Sequence, residues 1–133
     1  MFYSNKGTNL YYICVMEIED IDTISFEQAK RLKSLGITQD DSHFIYLHDG
    51  RRIQYIGSSV YNYYQCHKDE AEICCAFTLE EMNAMIKASK TFMSPRLAAS
   101  FLIIMQEVGY LNIDQMNARY ISYKNPPLEN TYL

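Results

Sequence analysis

Between Leu97 and Val108 the chain puts apolar side chains on nearly every side of a helix: Leu97, Ala98, Ala99, Phe101, Leu102, Ile103, Ile104, Met105 and Val108. The ends of this helix are marked. Ser94 is a favoured cap, Pro95 suits the first helical position, and Gly109 stops the helix. A helix without a polar face must be covered by neighbouring elements or by another copy of the chain. It cannot be covered by lipid as a span, because no stretch reaches the ~18 consecutive apolar residues that a bilayer requires.

The rest of the chain supplies the cover. Asn9 to Ile18 is rich in aromatic and β-branched residues and reads as a strand. Ser25 and Gln28 stand at capping-box spacing and open a helix over Ser25–Leu35, with a core stripe of Phe26, Ala29, Leu32 and Leu35. Gly36 is its natural left-handed stop, and Ile37 can pack back on the last turn. His43 to Leu47 and Arg52 to Ile56 flank a His48-Asp49-Gly50-Arg51 loop, which predicts a β-hairpin. Ser58 to Gln65 reads as a third strand or an aromatic loop, and the apolar run Ile73 to Phe77 as a short buried strand. Thr78 and Glu81 form a second capping box, opening a helix over Thr78–Ser89 with Leu79, Met82, Met85 and Ile86 inward. Asn112 and Gln115 repeat that spacing, so Ile113 to about Arg119 is a short last helix, with a closing strand over Ala118–Tyr123 as the alternative.

These elements predict an α+β fold: a small mixed or antiparallel sheet with about three helices packed on it. Residues 1–125 are expected to form a single domain and residues 126–133 an extended tail after Pro126-Pro127. A chain of 133 residues can bury a core without disulfides or metal. Its N-terminus has no apolar segment of signal-peptide type, so the expected address is cytoplasmic and the four cysteines are expected as reduced thiols. The net charge of −4 disfavours phosphate backbones and anionic membranes as partners.

Catalytic and metal-binding patterns are weak. Cys66-His67 and Cys74-Cys75 are adjacent pairs, whereas zinc sites use ligands two to four residues apart. Glu80 and Glu81 fall in a helix first turn, where carboxylates favour the cap and the macrodipole. No glycine-rich phosphate loop is present, and no metal site or cofactor is expected. The protein is therefore read as non-enzymatic.

Binding signals are stronger. The chain holds 12 Tyr and 6 Phe but no Trp, and tyrosine suits recognition surfaces because a flat apolar ring carries a polar tip. Tyr61, Tyr63 and Tyr64 cluster after the hairpin, and strand alternation places Tyr61 and Tyr63 on one face with Tyr64 opposite. With Arg51 and Arg52 of the hairpin they form the candidate surface for a protein partner. An alternative nucleic-acid face takes residues 94–120 as a helix-turn-helix, with Lys87, Lys90 and Arg96 as basic residues and Gln115, Asn117 and Arg119 as base readers. A third reading is a small-ligand or nucleotide binder using a pocket between protomers.

One order of features carries a resemblance. Ile24-Ser25-Phe26-Glu27-Gln28-Ala29-Lys30-Arg31-Leu32-Lys33, then Gly36-Ile37, a Tyr-containing hairpin, Cys75-Ala76-Phe77-Thr78-Leu79-Glu80-Glu81-Met82 and the apolar helix after Pro95 follow in that sequence. This order resembles small proteins carried by phages and prophages of gut bacteria. The resemblance covers most of residues 24–111 and implies a mobile-element accessory protein, a class in which small partner-binding proteins are common. The expected partner is a host or phage protein, and the apolar helix is the expected contact of a homo-oligomer.

Overall fold

The computed structural model of the chain describes residues 21–86, 92 and 94–126. The strand expected over 9–18, the end of the helix expected to reach Ser89, and residues 127–133 of the expected tail lie outside them.

The described chain begins against the sheet. Thr23 forms an antiparallel bridge with Thr78, and the Ile24 amide donates to the Phe77 carbonyl at 2.9 Å. Helix α1 follows over Phe26–Leu35. Its capping box is complete: Gln28 N donates to Ser25 Oγ, and Ser25 N donates to Gln28 Oε1. Gly36 ends it at φ 101, with its amide donating to Lys33 O and that of Ile37 to Leu32 O. This pair of bonds is the Schellman motif, and Ile37 is buried, as the residue after the glycine commonly is.

Strands β1 (Phe44–Tyr46) and β2 (Arg52–Gln54) pair antiparallel, with Ile45 opposite Ile53. Their loop is a turn closed by Gly50 N to Leu47 O, then a bulge closed by Leu47 N to Arg51 O. The bulge places Gly50 at φ 87 against the Phe26 ring, so a side chain there would be both strained and crowded. Strand β3 (Cys74–Cys75) pairs antiparallel on the other side of β1, giving the order β2-β1-β3.

The segment after the hairpin is neither the strand nor the loop expected from its composition. Gly57–His67 is a helix, α2. The Val and Tyr residues suggested a strand, but intrinsic β preference mostly reports packing on a half-buried surface, and tertiary context overrides it. Here the buried positions recur at helical spacing, from the partly buried Val60 to the fully buried Tyr64.

Three more helices complete the described chain: α3 (Leu79–Ile86), α4 (Pro95–Glu107) and α5 (Ile113–Lys124). Ser94 and Asn112 cap the last two through their side-chain oxygens. The closing strand considered for Ala118–Tyr123 is helix instead, because Met116 and Tyr120, four residues apart, both enter the core. The outcome is a small α+β fold with an antiparallel sheet and five described helices rather than about three. Helix α3 packs on α4 and α5, and α1 packs on α4 and β3. Ile45, Phe77, Met82, Met85, Leu102 and Tyr120 lie together in the core. No described helix is long and apolar enough to cross a membrane.

Candidate functional site

Helix α2 is held over the hairpin by two polar anchors. Tyr64, inaccessible to solvent, donates its hydroxyl proton to the Gln39 carbonyl at 2.5 Å and lies 3.7 Å from Cys75 Sγ. At the far end, the Lys33 ammonium donates to the carbonyls of Lys68, Glu70 and Ile73 at 2.5–2.6 Å. All three ammonium protons are thereby used, and the loop from α2 to β3 closes around one cation. Burial lowers the Lys33 pKa below its ordinary value, and nearby acidic groups oppose that shift.

Aromatic contacts fill the seam. Tyr55, just past β2, stacks on Tyr61 with ring centroids 6.4 Å apart and tilts against Tyr64 at 5.3 Å. Tyr63 points elsewhere, onto His67 one turn on, at 4.3 Å. The helix thus regroups the tyrosines that strand alternation had sorted. Tyr61 and Tyr64 share the Tyr55 side, and Tyr63 does not pair with Tyr61. Tyr64 is part of the core and is no surface residue, whereas Tyr61 is 54% exposed and Tyr63 36%.

A cleft of about 320 Å³ opens between the hairpin and α2, lined by Leu47, Arg51, Ile53, Ser59, Val60 and Tyr63. Two candidate binding residues from opposite elements, Arg51 and Tyr63, therefore meet around an apolar floor. Arg51 is oriented by Asp49, with Nε 2.5 Å from Oδ2, while Asp49 Oδ1 accepts the Arg51 amide. Slight burial raises the Asp49 pKa, but the hydrogen bonds and charge of Arg51 outweigh it and hold the carboxyl below its ordinary value. Arg52 is not among the residues lining this cleft. Alternation turns it to the other face of β2, where Nη1 donates to Thr23 Oγ1 at 2.6 Å and the guanidinium stands 5.8 Å over the Phe44 ring.

The residues considered for nucleic acid do not assemble into one described face. Lys87 and Lys90 lie outside the described residues. Arg96 and Gln115 are exposed, on α4 and α5. Asn117 braces the end of α1, donating to the Gly36 carbonyl at 2.9 Å and accepting the Thr38 amide at 2.8 Å. Arg119 donates to the Met85 and Ile86 carbonyls at the end of α3, where a cation satisfies the helix terminus.

Glu81 is more than a helix cap. Its Oε1 accepts the Thr78 amide at 2.9 Å, as the capping box predicts. Its Oε2 accepts the His43 amide and lies 3.1 Å from the Tyr120 hydroxyl and 3.3 Å from Lys124 Nζ, out of solvent reach. The capping spacing was visible in sequence; partners 38 to 43 residues away were not. The same holds for Lys33, whose carbonyl partners lie 35 to 40 residues away.

Burial pushes the thiols of Cys74 and Cys75 up to about 12, so neither is a thiolate at neutral pH. Cys66 is exposed on α2. Among the described residues no group of three or more His, Cys, Asp or Glu side chains is placed to hold a metal ion. A second cleft, of about 560 Å³, is lined by Ile21, Asp22, His43, Gln54, Thr78 and Glu80 among others.

No family model, curated protein or solved structure matches the chain.

Proposed function

We propose that this chain is a non-enzymatic binding protein that takes a segment of a protein partner into the groove between the hairpin and α2. One observation carries the reading: Arg51 and Tyr63, from separate elements, line the same cleft with Leu47, Ile53 and Val60. Its anatomy suits a small protein contact. An apolar floor buries a side chain, the tyrosine ring adds area with a hydrogen-bonding tip, and the Asp49-oriented guanidinium brings a planar cation to the rim. Tyr61, exposed and stacked on Tyr55, extends the aromatic surface beyond the cleft.

The partner is taken to be a host or phage protein, as expected for the mobile-element accessory protein that the order of capping boxes and core stripes over residues 24–111 implied. A photo-crosslinking residue at position 60, inside the cleft, tests the reading. Crosslinking to a partner should be lost when Tyr61→Ala and Tyr63→Ala are combined, with the circular dichroism spectrum unchanged. Partner interactions untouched by that double variant would end the proposal.

A further inference from the structure

The described chain covers only part of α4, and what it leaves open is ordered. Pro95, Ala98, Ala99 and Leu102 are buried, but Leu97, Ile104 and Val108 are 57%, 58% and 59% exposed. With Phe101, partly buried against Phe92, they form one stripe at positions 97, 101, 104 and 108. Those steps of four, three and four are the repeat of a helix–helix seam. Tyr110, 76% exposed, continues the apolar surface past the helix end.

The stripe reads the same in both directions. Two copies packed antiparallel about a two-fold axis at its midpoint would set Leu97 against Val108 of the second copy and Phe101 against Ile104. The flanking charges favour that orientation over a parallel one. Arg96 and Glu107 lie on the same flank of the helix, at opposite ends, and both are exposed. This is the flank that faces α1, where Arg31 Nη2 holds Glu107 Oε2 at 2.7 Å and Gln28 Nε2 donates to the Arg96 carbonyl. An antiparallel two-fold brings each Arg96 beside Glu107 of the other copy. A parallel two-fold would put the Arg96–Glu107 flanks of the two copies on opposite sides of the seam and form no such pair.

We propose that α4 is the two-fold interface of a homodimer, sealed by the Leu97–Phe101–Ile104–Val108 stripe and oriented by reciprocal Arg96–Glu107 pairs. Unlike the groove reading, this needs no foreign partner and stands independently of it. The competing occupant of the stripe is the apolar segment 9–18 of the same chain.

Sedimentation equilibrium of the full chain decides. The expected mass is twice the 15.6 kDa of one chain. Ile104→Glu, which puts a carboxylate at the centre of the seam, should return the single-chain mass with its circular dichroism intact. Arg96→Glu should weaken the dimer about tenfold or more by setting like charges together, and adding Glu107→Arg should restore it. If Ile104→Glu fails to fold, the charge pair carries the test alone. A single-chain mass for the natural sequence at about 100 µM would overturn the proposal, since that concentration would populate even a weak dimer. Hydrogen exchange would then ask whether residues 9–18 protect α4. A dimer indifferent to Ile104→Glu, or to the charge exchange, would overturn it equally.

Discussion

The Lys124 ammonium, at the last turn of α5, lies 3.3 Å from the carboxylate of Glu81, in the first turn of α3. Solvent does not reach Glu81, and Lys124 is only 16% exposed. Low accessibility strengthens the attraction and makes loss of either partner costly. Lys124→Met should leave the buried carboxylate without its cation. Glu81→Ala should leave the His43 and Thr78 amides without their acceptor as well. Chemical denaturation is expected to show Glu81→Ala as the worse, at about 3–5 kcal/mol. Equal and small losses would mean that water replaces the pair.

Tyr63 and Tyr64 are neighbours in sequence with opposite duties. Tyr64→Ala removes a fully buried ring and its hydroxyl bond to Gln39, so a loss of about 3–5 kcal/mol is expected. Tyr63→Ala truncates a half-open side chain and should cost less than about 1 kcal/mol. Thermal or urea unfolding of the two variants separates a core residue from a surface one. The reverse order would place the helical register of α2 in error.

The buried thiols predict alkaline sensitivity. Cys74 and Cys75 rise from 9.0 to about 12 because burial penalises the thiolate. The folded state therefore holds protons that the unfolded chain releases. Their contribution to stability is complete below about pH 9 and is lost as the pH climbs toward 12. Each thiol contributes a slope of at most about 1.4 kcal/mol per pH unit in that window. Lys33, whose pKa is lowered, titrates with the opposite sign, so the test compares variants. Unfolding free energies measured across that window should fall less steeply in Cys75→Ala than in the natural sequence.

Gly50 tests the hairpin. Its φ of 87 is left-handed, and a methyl group would stand 3.3 Å from the Phe26 ring. Gly50→Ala should cost about 1–2 kcal/mol from the backbone alone, with added crowding from the ring. Gly109 has the same φ and open space around it, so Gly109→Ala should show the backbone cost without the crowding. Indistinguishable melting shifts for the two would remove the Phe26 contact from the account.

Local chemistry was legible wherever its partners are close in sequence. The Ser25–Gln28 and Thr78–Glu81 boxes, the Gly36 stop, the hairpin turn at Gly50 and the Ser94-Pro95 start all join groups within a few residues, so spacing alone reveals them. Helix α2 was not legible, because Ser58, Ser59, Val60 and Tyr61 are indifferent helix formers and no side chain caps the helix start. Its identity rests on Tyr64 reaching Gln39 and Lys33 reaching Ile73, contacts that close loops of 25 and 40 residues.

The candidate site divides the same way. Composition pointed to tyrosine and arginine near the hairpin, but which of them reach a surface depended on the period of the backbone beneath. A step of two would have paired Tyr61 with Tyr63. The helical step instead buries Tyr64 and leaves Tyr63 at the cleft with Arg51, while strand alternation in β2 turns Arg52 away. By itself the sequence determined where α1 and α4 start and stop, where α3 and α5 start, where the hairpin turns, and that α4 carries more apolar surface than one side can bury. Tertiary structure alone decided which tyrosines are core, that Glu81 meets Lys124, and which face of α4 the other described residues leave open. The physical reason is range: caps and turns are set by bonds within a turn of chain, whereas burial is set by whatever distant segment packs alongside.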